Sequence, residues 1–177
     1  MIFSRYPEQK LSVRLVFPLA IALVLTCPTA TLAKDAIVYA GGNWAAVDRG
    51  DACVALGRSA RIAAKGKVQA TAGFAFARDR RRWGEFHARL RRMPRAGSSV
   101  ILTVGSQPFL LTARGNWAWS RGPLQEQAII AAVRGASGMR VEARDLAGQR
   151  FNDPYALDGA PTAIDAAAAC AGKIQPH

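Results

Sequence analysis

The chain has 177 residues, a length that fits one folded domain large enough to bury its own core. Its three cysteines and two histidines are scattered and match no metal-ligand spacing, which argues against a metal site. Lys and Arg outnumber Asp and Glu by 24 to 12, and the resulting net charge of +12 favours anionic partners.

The first 33 residues have the layout of a secretory signal peptide. Two basic residues precede an apolar run over residues 15–25, and small residues lead to an expected cleavage site after Ala33. The run is shorter than the about 20 apolar residues of a membrane span, so we expect cleavage and no membrane-spanning segment in the mature chain. Residues 34–177 would then form a single β-rich envelope domain that is periplasmic or secreted. An uncleaved membrane anchor and lipidation of Cys27 are the alternatives, although the residues before Cys27 form a poor lipobox.

Removal of the signal peptide leaves two cysteines, Cys53 and Cys170. An even pair in an exported chain predicts a disulfide, because the compartment outside the cytoplasm is oxidising. This bond would join the front of the domain to its end. Two unpaired cysteines are the alternative.

Apolar and polar residues alternate with a period of two through most of the mature chain, which predicts strands with one buried face. Where turn residues such as Gly115 and Asn116 interrupt the alternation, one strand ends and the next begins. The predicted strands cover residues 44–48, 53–56, 68–76, 85–91, 99–104, 109–114, 117–119, 139–144 and 151–157.

Two stretches are rich in helix formers and predict helices over residues 124–134 and 161–171. Each starts at a proline and ends at a glycine, which suits the first helical position and the helix end. The second helix has a narrow face of small residues that would let it lie close to a sheet and bring Cys170 to Cys53. We therefore predict a mainly β fold, a β-sandwich or partly open barrel with one or two packed helices.

Arginines are densest between Arg78 and Arg95, where aromatic residues lie among them. Strand parity places Trp83 on the outward side together with His87. We predict that this basic face binds an anionic envelope component or an acidic protein, and nucleic acid is not expected for an exported protein. A solvated surface that only keeps the domain soluble is the alternative. The candidate binding residues are Arg80, Arg81, Arg82, Trp83, His87, Arg89, Arg91 and Arg92.

No group of residues has the spacing of a catalytic site, so we expect a non-enzymatic protein without a cofactor. His87 is the only histidine inside the predicted domain, and the positive charge of Arg89 beside it would favour the neutral imidazole. Ser98, Ser99 or Ser120 would be needed as a nucleophile, but no G-x-S-x-G turn accompanies any of them.

Two other functions stay open. Trp117 and Trp119 share a strand face, and core packing is the simpler interpretation of both residues. Together with Phe109, they would alternatively line the pocket of a small ligand-binding or hydrolase-like domain. A third possibility is an assembly factor whose edge strand pairs with another protein.

Several segments between residues 44 and 171 carry a resemblance to a known family. The most specific is the closing pattern of a strand, Leu157-Asp158-Gly159, and an alanine-rich helix. The chain resembles the invasion-associated locus B family of small exported alphaproteobacterial proteins. The resemblance implies a periplasmic or envelope β-sandwich without known catalytic residues. Four further segments carry the resemblance: Trp44 leading to Cys53, residues 100–104, Pro108-Phe109, and residues 128–134 followed by residues 138–141.

Overall fold

Ten antiparallel strands and two helices form over residues 35–173, the part of the chain that the computed structural model describes. The expected signal peptide, Cys27 and the end of the tail lie outside these residues. The elements are β1 (Ala36–Gly41), β2 (Trp44–Asp48), β3 (Ala52–Arg58), β4 (Thr71–Ala77), β5 (Trp83–Arg89), β6 (Val100–Val104), β7 (Gln107–Arg114), β8 (Trp117–Trp119), α1 (Pro123–Gly135), β9 (Gly138–Arg144), β10 (Arg150–Ala156) and α2 (Ala160–Gly172).

The strands lie in the order β1-β2-β3-β4-β5-β8-β7-β6-β9-β10. Strand β7 links two parts of this sheet, because residues 107–111 pair with β6 and residues 112–114 pair with β8. The far end of the sheet returns towards its beginning, where Trp44 Nε1 donates to the carbonyl of Ala156 at 2.9 Å. The backbone N–H of Ala60 likewise donates to the carbonyl of Pro154 at 2.8 Å. The predicted fold class, a sandwich or partly open barrel with packed helices, is confirmed.

The helices cover the inner face of the sheet and complete the core. Helix α2 packs mainly on β2 and β3. Fully buried alanines meet there from both sides, including Ala46 and Ala55 of the sheet and Ala163 and Ala167 of the helix. Small side chains on both surfaces let the helix axis approach the sheet closely, as the sequence predicted. Neither helix of the described chain is long and apolar enough to cross a membrane.

Cys53 and Cys170, 117 positions apart in the chain, form the predicted disulfide, with their Cα atoms 6.0 Å apart. Cys53 is fully buried and Cys170 is nearly so. The bond therefore attaches the last turn of α2 to β3 from within the core. Such a bond is typical of an oxidising compartment.

Two parts of the fold differ from the sequence prediction. Strand β1 was not predicted, because its residues do not alternate: Ile37 and Val38, next to each other, are 73% and 44% exposed at the edge of the sheet. The strand expected from residue 68 begins instead at Thr71. The preceding residues belong to a loop over residues 59–70, where Gln69 turns its amide group towards the loop backbone.

Removing the disulfide should weaken the fold strongly. For the double variant Cys53→Ala, Cys170→Ala, we expect the free energy of unfolding to fall by about 4–5 kcal/mol, because the unfolded chain loses a very long closed loop. Urea denaturation of the two proteins measures this difference. Wild-type protein unfolded with a thiol reductant is the control and should match the variant. A loss below about 1 kcal/mol would show that the cross-link contributes little.

Candidate functional site

The structure does not bring the eight candidate binding residues onto one surface. Arg80, Arg81 and Arg82 lie in the turn before β5, whereas Arg91 and Arg92 follow the opposite end of this strand. The seven residues of β5 span about 20 Å, so the two groups are far apart. His87 and Arg89 lie between them on the outer face of the sheet, opposite the helices. The candidate residues therefore belong to three separate places.

Trp83 lies on the face that the sequence did not predict. The register between β4 and β5 shifts after Ala75, so that Trp83 pairs with Phe76 and Gly84 is the extra residue of a β-bulge. Gly84 has a φ of 85°, a conformation that suits glycine. The bulge moves Trp83 from the side of His87 to the side of the helices. The prediction that Trp83 is outward with His87 was wrong, because strand parity fails across a bulge.

Trp83 forms part of a groove between the β4–β5 turn and α1, here called the Trp83 groove, with a volume of about 530 Å³. The indole is 37% exposed and meets the ring of Phe76 edge-on, with 5.3 Å between ring centroids. The guanidinium carbon of Arg80 lies 4.1 Å from the centroid of the Trp83 ring, in a cation–π arrangement. The groove has apolar side chains at its base and arginines at its rim, and the nearly buried Glu126 also lines it. Its lining includes Phe76, Arg80, Arg81, Trp83, Ile130 and Arg134.

The backbone of the turn holds Arg80 in place over the tryptophan. Arg80 has a φ of 62° and is the only non-glycine residue with a positive φ in the described chain. This left-handed conformation costs an ordinary residue about 1–2 kcal/mol, and glycine avoids the cost. Asp79 supports the turn by accepting the N–H of Arg81 at 3.0 Å. An arginine at this position is therefore not needed to form the turn, which points to a role for its side chain.

A second groove, here called the outer-face groove, lies on the opposite side of the sheet and has a volume of about 680 Å³. Trp117 is 38% exposed there, whereas Ala118 beside it is fully buried. The core interpretation of Trp117 was therefore wrong. The rings of Trp117 and Trp119 are nearly parallel, with centroids 6.4 Å apart. The centroid of the His87 ring lies 6.2 Å from that of Trp117. Phe109 is buried in the core and does not join this groove.

Arg91 and Arg92 each pair with a carboxylate. Arg91 Nε lies 2.8 Å from Oδ1 of Asp153, a residue with no exposed surface, and the Arg91 backbone N–H donates to Oδ2 at 3.1 Å. Burial raises the pKa of Asp153, and the charge and hydrogen bonds of Arg91 oppose this rise. Arg92 donates to Asp145 at 2.7 Å. Sequence reasoning missed Asp153, although its position between the inward-facing Phe151 and Tyr155 was a signal of a buried charge.

Ser120, one of the serines considered as a nucleophile, is not hydrogen-bonded to the histidine of the described residues. The hydroxyl of Ser120 accepts the N–H of Phe86 at 3.1 Å and donates to Glu126 at 3.0 Å, and it makes no hydrogen bond with His87. Within residues 35–173, one cluster has metal-ligating side chains close together, namely Asp48 with Cys53 and Cys170. Both sulfurs of this cluster are in the disulfide and therefore offer no thiolate to a metal.

These features define a disulfide-bonded, mainly β domain with a cationic, tryptophan-bearing groove. No protein-family model, curated protein or solved structure matches the chain. The function is therefore argued from the residues of the grooves themselves.

His87 should titrate in the acid range. Burial lowers the pKa of His87 to about 4, and the charges of Arg49 and Arg82 add to this shift, while a hydrogen bond with the backbone of Glu85 opposes it. The unfolded value is about 6.5, so protonation favours the unfolded chain. We expect the stability that the neutral imidazole contributes to be lost as the pH falls from about 6.5 to about 4.

The NMR titration of the His87 ring protons measures this pKa directly. The variant His87→Gln is the control, because its stability should depend less on pH over the same range. A midpoint near 6.5 would contradict the burial of this imidazole.

Proposed function

We propose that this protein is a non-enzymatic exported protein that binds an anionic component of the cell envelope through the Trp83 groove. The single observation that carries the proposal is the guanidinium of Arg80 lying over the exposed ring of Trp83. The signal-peptide layout of residues 1–33 and the disulfide support an envelope or periplasmic location. The resemblance to the invasion-associated locus B family agrees with this location.

The groove suits a ligand with an anionic head and an apolar part. Phe76, Trp83 and Ile130 supply apolar surface, and Arg80 supplies charge at the rim. Arg81 adds charge there as well, although its Nε lies 3.8 Å from the carboxylate of Asp79. Arg134 contributes less free charge, because it pairs with Asp165 of α2. Anionic lipid headgroups have this combination, and each basic residue near such a surface contributes about 1 kcal/mol at moderate salt.

A small-ligand site in the outer-face groove is the second candidate function. It is favoured by the exposed ring of Trp117, which stacks on the half-buried ring of Trp119 and leaves a flat aromatic surface facing solvent. Flat aromatic surfaces bind the faces of other rings and of apolar groups. The two candidates use opposite sides of the sheet, so substitutions separate them.

Co-sedimentation with lipid vesicles tests the proposal. We expect the protein to bind phosphatidylglycerol vesicles at low salt and to dissociate from them as the salt concentration rises. It should not bind phosphatidylcholine vesicles, which carry no net charge. Arg80→Gly should weaken binding roughly fivefold, since one cation is lost. The same change should leave folding intact, because glycine adopts the left-handed conformation of the turn readily. Trp83→Ala should also weaken binding, while urea denaturation reports its effect on folding.

The matched control for charge is Arg114→Gln, since Arg114 is an exposed arginine at the end of β7, away from the groove. Equal weakening in Arg80→Gly and Arg114→Gln would mean that only net charge matters and would overturn the proposed site. If vesicle binding is lost only when Trp117 is substituted, the binding site lies in the outer-face groove instead.

A further inference from the structure

At the opposite end of β5 from the Trp83 groove, a cleft of about 480 Å³ lies between the loop over residues 59–70 and the residues that follow β5. We propose that this loop cleft binds a phosphate monoester. The phosphate would lie against Arg61, Lys67 and Arg91, and the organic part against Ile62 and Val68. This site is separate from the proposed function and does not depend on it.

The guanidinium of Arg91 is positioned by other side chains and still has free donors for an oxyanion. Its Nε lies 2.8 Å from the fully buried carboxylate of Asp153, and its guanidinium carbon lies 5.5 Å from the centroid of the Phe151 ring. No residue between 35 and 173 accepts a hydrogen bond from its two Nη atoms. The side chain is 22% exposed, so these donors remain accessible from the cleft. The ion pair with Asp153 and the contact with Phe151 restrict the guanidinium before a ligand arrives, which favours paired hydrogen bonds to phosphate.

The loop positions Arg61 through its backbone. The buried hydroxyl of Ser59 accepts the N–H of Arg61 at 3.2 Å and donates to the carbonyl of Pro154 in β10 at 2.9 Å. Gln69 donates to the carbonyl of Arg61 at 3.3 Å and accepts the N–H of Ala63 at 2.9 Å. Both backbone groups of Arg61 are therefore bonded to side chains of the same loop. A long loop braced in this manner is typical of a binding segment rather than of a simple connection.

The charge of the cleft is not balanced by the protein. Arg91 pairs with Asp153 and Arg92 with Asp145, but Arg61 and Lys67 form no direct ion pair within residues 35–173, although the charge of Arg61 also acts on Asp153. Two cations of the cleft are thus left for a ligand. A phosphate monoester carries between one and two negative charges at neutral pH and offers three acceptor oxygens, which matches this excess.

Apolar side chains form the remaining wall. Ile62 is 78% exposed, and Val68 is half-buried beside it. Bound inorganic phosphate would leave these apolar side chains exposed to water, whereas an organic group attached to the phosphate would cover them. The cleft therefore favours a monoester over inorganic phosphate.

Calorimetric titration of the purified protein with phenyl phosphate tests the proposal, with inorganic phosphate, benzoate and phenol as comparison ligands. We expect phenyl phosphate to bind most tightly, inorganic phosphate and benzoate several-fold more weakly, and phenol not at all. Equal or tighter binding of benzoate would overturn the assignment to phosphate. Equal binding of inorganic phosphate would overturn the role of the apolar wall.

Substitutions assign the binding to this cleft. The double variant Arg61→Gln, Lys67→Gln should weaken phenyl phosphate binding at least tenfold, because both unpaired cations are lost. It should still fold, since both side chains are exposed. Arg91→Lys keeps the charge but loses the planar donors, and it should weaken binding by a similar factor.

The double variant Arg114→Gln, Arg150→Gln is the matched control, since it removes the same charge from exposed positions elsewhere. It should bind phenyl phosphate like the wild type. The loop cleft is ruled out if the Arg61 and Lys67 variant binds normally, or if the matched control loses as much affinity.

Discussion

The attachment of α2 to the sheet is the constraint on which the rest of the structure depends. The helix has small residues on its buried face, so close approach rather than bulky side chains excludes water there. The bond between Cys53 and Cys170 holds its last turn, and Arg78 completes the attachment. The guanidinium of Arg78 donates to the carbonyl of Cys170 at 3.0 Å and pairs with Asp48 at 2.8 Å. A cation at the carboxyl end of a helix also matches the helix dipole. One arginine of the basic run is therefore structural.

The use of the remaining arginines follows from which of them find a carboxylate. Arg91 and Arg92 are held by Asp153 and Asp145, whereas the side chain of Arg80 lies against an aromatic ring. The net charge thus does not form one continuous face. The charge is divided between positions that stabilise the fold and positions at the rims of the Trp83 groove and the loop cleft. Electrostatic attraction acts over about 10 Å at ordinary salt, so groups at the two ends of β5 act independently.

Much of the fold could be predicted from the sequence, because period-two alternation and the proline and glycine boundaries of the helices are local signals. The disulfide was predictable as well, since only Cys53 and Cys170 follow the expected signal peptide. Strand β1 could not be predicted, because an edge strand buries too little surface to require alternation. The candidate site was predicted only in its residue types. The exposure of Trp83 was recognised, but the face on which it lies was not.

The sequence by itself determined the mainly β class, the positions of both helices, the cysteine pairing and the basic character of the surface. The class, the helices and the charge depend on residue types and on spacings within one segment, and the pairing depends only on there being two cysteines in the expected mature chain. Only the tertiary structure decided where the charges and rings meet. The bulge at Gly84 depends on the partner strand, and the pairing of Arg91 with Asp153 joins residues 62 positions apart. Contacts between distant segments are set by how the sheet folds on itself, and no local pattern encodes that geometry.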